Sequence, residues 1–229
     1  MTEHAKVLKI LQLLTEAYGK PRAFRKTDAV DEVVRTILSQ HTNDNNSFPA
    51  FDELKRTFRD WEAAMRAPNP KIERCIRRAG LSKIKAVRIK EVLVEIKRRE
   101  GRITLKALGG MKIGEALDYL ISLKGVGPKT AACVLLFSFN MPVMPVDTHI
   151  FRVTKRLGLI PRNIGIDDAH TYLTGLVPKD LIYRFHLSII KHGRMTCKAQ
   201  NPRCGFCILC SMCPWKDKRH YIKYGVVNN

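Results

Sequence analysis

LKGVGPKTAACVLLFSFNMPVMPVDTHIFRV, running from Leu123 to Val153, is the stretch on which the reading of the fold turns. Gly125-Val126-Gly127 interrupts one helical pattern, and Pro128 opens a new apolar run from Ala131 to Phe139. Proline at a first helical position is a good start signal. Glycines let a backbone turn tightly and approach a ligand, so Gly125 and Gly127 leave the new helix's free N–H groups open to a phosphate. Lys129 falls in the first turn of that helix, where the dipole is positive and a cation is out of place. A neutral amine is not out of place there, and it is the form a nucleophilic lysine needs. Downstream, Asp147 precedes another apolar run, as a helix-capping aspartate does. A capping position also fixes the direction of a carboxylate.

The rest of the chain supplies the setting. Lys plus Arg number 41 against 21 Asp plus Glu, a formal net charge of +20 in 229 residues. Such a surface attracts polyanions and makes their binding salt-sensitive, so a nucleic-acid partner is expected, without a choice between enzyme and binder. Within residues 71–106 alone, 13 Lys or Arg stand against four Glu, a net +9. No apolar run approaches a membrane span, and MTEHAKVLKILQLL lacks a signal-peptide cleavage site. The expectation is a soluble cytoplasmic protein, nucleoid-associated if its partner is DNA. Five of the seven cysteines lie between Cys197 and Cys213, and an odd count with no secretion signal favours a metal or cluster over disulfides.

Helical periodicity recurs throughout. It predicts helices over Val7–Tyr18, Asp31–Gln40, Phe48–Phe58, His149–Leu157 and Asp167–Thr174, and one from Leu181 to His192 ending at Gly193. The run HTNDNNS, from His41 through Ser47, reads as a turn, as does Trp61–Met65. In the basic stretch Ile84, Val87, Ile89, Val92, Leu93 and Ile96 are the expected buried stripe, and Leu117–Leu123 leads into the hairpin. No strand alternation stands out, so the fold class is all-α.

LKGVGPKTA and VDTHIFRV together resemble the helix-hairpin-helix, Gly/Pro-rich loop and aspartate of the base-excision DNA glycosylases, specifically the endonuclease III family. The resemblance implies two helical domains flanking a DNA-binding cleft: a helical barrel with the hairpin over residues 27–140, and a second domain from 1–26 with 141–229. It implies Lys129 as nucleophile and Asp147 as catalytic carboxylate. Cys197, Cys204, Cys207 and Cys213 read C-x6-C-x2-C-x5-C, and four thiolates can hold a tetrahedral zinc or a [4Fe–4S] cluster. HGRMTCKAQNPRCGFC resembles the family's cluster loop, which implies [4Fe–4S], with zinc as the alternative; Cys210, inside the last interval, is read as a bystander, with replacement of a ligand after a shift of the loop as its alternative role. Lys198 and Arg203, inside the first cysteine interval, are placed for phosphate contact.

An enzyme that works on a base in a duplex must extrude it and fill the gap. By resemblance Gln40, in ILSQHT, enters the vacated space, and Leu81, in AGLSKIKA, wedges the opposite strand. The bland alternatives are a polar helix end and a core leucine. QHTND departs from the family's glutamine-alanine-threonine-aspartate at His41 and Asn43, which bears on damage preference. His41, His149 and His192 need no catalytic role. The function implied is a monomeric, bifunctional glycosylase and abasic-site lyase acting on double-stranded DNA with damaged, oxidised pyrimidines or abasic sites. Alternatives are a mismatch thymine or uracil glycosylase, which Lys129 disfavours, and a non-catalytic iron–sulfur DNA-binding protein. An adenine glycosylase is disfavoured by Lys129 and by the expected lack of a further C-terminal domain.

Overall fold

The computed structural model describes residues 2–224, so Met1 and residues 225–229 of the expected second domain lie outside the described residues. Twelve α-helices and no strand occur among them. In chain order these are α1 (Glu3–Tyr18), α2 (Ala29–Ser39), α3 (Asp44–Thr57), α4 (Trp61–Arg66), α5 (Asn69–Ile76), α6 (Ser82–Glu100), α7 (Ile113–Ile121), α8 (Pro128–Phe139), α9 (Thr148–Arg156), α10 (Ile166–Leu176), α11 (Ile182–Met195) and α12 (Lys218–Tyr224). The all-α expectation holds. The chain divides into two compact units, Arg25–Met141 and the pair of segments Met1–Phe24 and Pro142–Asn229.

In the Arg25–Met141 unit, α8 is buried almost all round from Thr130 to Leu136, as a central helix must be. Helix α2 lies against it, and α7 packs on it from the hairpin side. Asp28 starts α2 by accepting from the N–H groups of Val30 and Asp31, and Val30, Val33, Val34, Ile37 and Leu38 form its buried face. Three sequence expectations are corrected in this unit. Helix α3 begins at Asp44 and not Phe48, because first-turn N–H groups need no helical acceptor and an acidic residue suits the dipole there. Trp61–Met65 is a helix and not a turn, capped by Asp60, whose Oδ1 accepts from Ala63 N–H at 2.7 Å.

The third correction concerns the stripe of α6. Ile89, Val92, Leu93 and Ile96 are buried, but Ile84 and Val87 are 50% and 41% exposed. Stepping back three and four residues from Ile89 lands on Ala86 and Lys85, and these are the buried positions. Helical period overrides side-chain type here.

In the other unit, α1 and α9 both pack on α11. Helix α11 continues through Gly193 to Met195, so the glycine is not its end. A Cβ on Gly193 would stand 3.0 Å from the Cβ of His149, so glycine is what lets α9 and α11 approach so closely.

Candidate functional site

The hairpin is built by local rules. After α7, Val126 N–H donates to the Leu123 carbonyl at 3.0 Å, and both side chains are buried. Gly125 takes φ +88°, a left-handed conformation that favours glycine, and the space beside it is bounded by the side chain of Arg88. Gly127 has an ordinary φ of −95°, but a Cβ there would meet nothing, so the N-terminus of α8 opens to the outside. No side chain caps that end, leaving its first-turn N–H groups for a ligand. Pro128 is the first residue of α8, so half-buried Lys129 stands at its second position.

Gln40 and Leu81 lie in the same unit as the hairpin. Gln40 closes α2, and its Oε1 accepts from Arg88 Nη1 at 3.1 Å. Leu81 is 53% exposed and adopts φ +49°, directly after Gly80 at φ +70°. An exposed leucine in a left-handed conformation is not core; burial would have been the bland explanation, and it fails. The turn carrying it is tied down by Lys85, whose buried Nζ donates to the carbonyls of Leu38 and Ala79.

In the second unit Asp147 is the N-cap of α9, its Oδ1 accepting from Ile150 N–H at 2.8 Å. The extended segment before it is pinned from below. His170 Nδ1 stands 3.0 Å from the Met144 carbonyl, and His186 Nδ1 stands 3.1 Å from the Pro145 carbonyl. Both histidines occupy buried-face positions of α10 and α11. The carboxylate is therefore held by its own cap bond on a segment that the core fixes. Beside it, burial pushes the His149 pKa below the ordinary imidazole value; the Asp147 charge opposes this and Arg152 adds to it.

Helix α9 also reaches the cysteine loop. Arg152 donates to the carbonyls of Cys197 and Gly193, and Arg156 donates to the Cys197 sulfur at 3.4 Å and the Lys198 carbonyl at 2.7 Å. The Arg156 guanidinium also stacks on Trp215, 3.9 Å from the ring centroid. One pocket is lined by Cys197, Cys204, Cys207, Cys210 and Cys213, with Arg156, His192, Arg203 and Lys218 among its walls. Cys210 is thus not set apart from the other four. Lys198 is exposed. Among the described residues no three His, Cys, Asp or Glu side chains converge on a point as around a single ion.

Burial, followed by repulsion from the neighbouring cysteines, pushes Cys204 up to about 11. Burial likewise pushes Cys207 up to about 12 and raises Cys213. A bound cationic centre would reverse that effect and draw them to thiolates. His192, buried in the pocket wall, is held down to about 4 by burial; its Nδ1 meets the Tyr18 hydroxyl at 3.0 Å and its Nε2 lies 3.7 Å from the Cys207 sulfur.

A model of the HhH-GPD superfamily of base excision DNA repair proteins matches residues 34–179. The chain belongs to this superfamily. It is 33% identical over 199 residues to endonuclease III of Thermotoga maritima, covering 87% of this chain and 89% of that protein. It is 37% identical over 166 residues to the "Putative DNA glycosylase At3g47830" of Arabidopsis thaliana, covering 72% of this chain but only 57% of the plant protein. Among solved structures, a non-covalent endonuclease III–DNA complex superposes with a TM-score of 0.82 at 25% identity, covering 96% of this chain and 99% of that one. A thermostable thymine-DNA glycosylase superposes at 0.76 with 21% identity, a likeness of fold alone. This HhH-GPD chain is a base-excision DNA glycosylase of endonuclease III type, and its DNA-complexed relatives support DNA as the partner. Among the described residues no helix is long and apolar enough to cross a membrane.

Several positioning residues of this HhH-GPD chain escape a sequence reading. Lys85, Arg88, Arg152 and Arg156 look like solvated charge in a basic protein, and His170 and His186 look like ordinary histidines. The available signal was register, since Lys85, His170 and His186 all fall on the apolar face of their helices.

Proposed function

We propose that the protein is a bifunctional DNA glycosylase and abasic-site lyase that removes oxidised or ring-saturated pyrimidines from double-stranded DNA. The observation that carries this reading is a lysine at the second position of the hairpin helix α8 in a chain that also presents an aspartate fixed at the N-cap of α9. Gripping phosphate requires the open helix end but neither of these side chains. In the reaction the Lys129 amine attacks the anomeric carbon of the damaged nucleotide. The carbon–nitrogen bond to the base breaks and the base leaves with the bonding pair and takes up a proton; the bond from the anomeric carbon to the ring oxygen then opens, that oxygen is protonated to a hydroxyl, and the lysine nitrogen is left in a Schiff base. A proton is then removed from the sugar's second carbon and the 3′ phosphate is expelled by β-elimination. Asp147 assists deprotonation of the amine and offsets the positive charge that develops on the sugar. Gln40 and Leu81 occupy the space that the extruded nucleotide leaves, and Gly125, Gly127, Lys198 and Arg203 hold the phosphate backbone. The native protein should therefore nick an oligonucleotide duplex at an abasic site without added metal. Intact strands after prolonged incubation would reduce the protein to a monofunctional glycosylase or a binder.

The cysteine loop fits a [4Fe–4S] cluster: the donors are thiols, they surround a pocket rather than a point, and Arg156 and His192 stand ready to hydrogen-bond their sulfurs. Cys197, Cys204, Cys207 and Cys213 would hold it, with Cys210 as a fifth thiol outside the ligand set. When bound, the cluster cross-links a loop too short to bury a core of its own. Anaerobically purified protein is expected to contain about four irons per chain. Cys204→Ser should lose the iron and Cys210→Ser should keep it. One zinc and no iron would overturn the assignment.

A further inference from the structure

Lys85 lies on the buried face of α6, where an apolar residue is the ordinary choice, and its side chain is 1% exposed. Its Nζ donates to the Leu38 carbonyl at 2.7 Å and to the Ala79 carbonyl at 2.8 Å. Both acceptors are neutral, and the charge acting on it, from Arg88, repels. Burying an ammonium without a counter-ion opposes folding, and methionine would fill the same volume without that penalty. The two carbonyls are what the charge serves. Leu38 is in the last turn of α2, where carbonyls have no helical partner, two residues before Gln40. Ala79 ends the short helical turn two residues before Leu81, ahead of two consecutive left-handed residues, Gly80 and Leu81. One ammonium therefore ties the backbone behind Gln40 to the backbone behind Leu81. One turn further along α6, Arg88 holds the Gln40 side chain.

We infer that Lys85 is a positioning residue that fixes Gln40 and Leu81 relative to each other so that both can enter the base stack together. The inference rests on the proposed roles of Gln40 and Leu81. Side chains that displace stacked bases must be held against the restoring force of the stack, and a left-handed leucine keeps its conformation only where its surroundings enforce it. Lys85 supplies that enforcement for both sides of the gap at once.

The test compares a damaged pyrimidine that is paired in a duplex with the same base bulged as an unpaired nucleotide, which needs little extrusion. Single-turnover release is measured for native protein, Lys85→Met and Lys85→Arg, each normalised to its folded fraction. Lys85→Met should lose roughly ten- to a hundredfold on the paired substrate, the scale of a misplacement near 1 Å, and far less on the bulged one. Lys85→Arg, which keeps the charge and the donors, should recover most of the paired activity. Adding Lys85→Met to the Gln40→Ala, Leu81→Ala pair should cost little more, because residues acting as a unit are not additive. Equal losses on both substrates, or no loss on either, would overturn the inference. If Lys85→Met does not fold, Lys85→Gln goes through the same comparison; if neither folds, Lys85 is a folding residue and the inference falls. A native protein that releases no damaged base from either substrate would instead remove the functional reading beneath it.

Discussion

Asparagine at position 147 should leave the fold and the DNA affinity intact while slowing base release roughly a thousandfold, the scale of losing about 4 kcal/mol of transition-state stabilisation. The two roles of Asp147 separate cleanly under this change. As a cap, its Oδ1 accepts one N–H, from Ile150. Asparagine caps a helix about as well as aspartate, so melting temperature should barely move. Alanine would lose the cap, at about 1 kcal/mol, and would confuse stability with rate. In the proposed reaction the carboxylate contributes a negative charge facing a sugar that becomes positive, and asparagine cannot supply it. Removing an anion near a phosphodiester does not weaken binding. The pinned segment behind Asp147, held at the Met144 and Pro145 carbonyls by His170 and His186, keeps the replacement in the same place. Equilibrium binding to an uncleavable damaged duplex, single-turnover release and a thermal melt decide the matter together. A release rate within tenfold of native would leave Asp147 a cap and no more.

The features legible in the sequence are those whose causes are local. The hairpin announces itself through Gly125, Gly127 and Pro128, and the cysteine loop through its spacing, because each is encoded within about 20 residues. Helix existence was legible for the same reason, while several edges were not. Asp60 caps α4 only because its side chain finds the N–H of Ala63, and nothing in composition distinguishes that aspartate from a surface one. Gly193 reads as a helix end, yet it lies within α11 because a different helix presses on it at His149. The widest departure from the sequence pattern is in α6. Choosing apolar letters placed Ile84 and Val87 in the core, whereas the period of the helix puts Lys85 there. A buried lysine is invisible to hydropathy, since its partners are carbonyls from α2 and from the Leu81 turn, 47 and six residues away. The exposure of Leu81 is equally beyond sequence, because it depends on what packs over the turn and not on the local pattern. The mismatch between residue type and register at Lys85 is the one sign of its burial that the sequence carries.

Lys129 carries the second large effect. Glutamine there keeps nearly the same length, leaves Pro128 as the first residue of α8, and leaves Gly125 free to hold its left-handed turn. The open end of α8, the proposed phosphate grip, is unchanged, so binding should persist. Only the proposed nucleophile is gone. Nicking at an abasic site should then fall to background, because β-elimination at neutral pH needs the iminium that an amine alone can form. Asp147→Asn and Lys129→Gln thus fail differently: the first binds and turns over slowly, the second binds and makes no covalent adduct. Borohydride separates them directly, since it reduces a Schiff base to a permanent amine link between protein and sugar. Native protein incubated with an abasic duplex and borohydride should give a stable protein–DNA adduct on a denaturing gel, and Lys129→Gln should give none. A cross-link formed by Lys129→Gln with native efficiency would show that another amine attacks the sugar, and would leave Lys129 a bystander in the first turn of a phosphate grip.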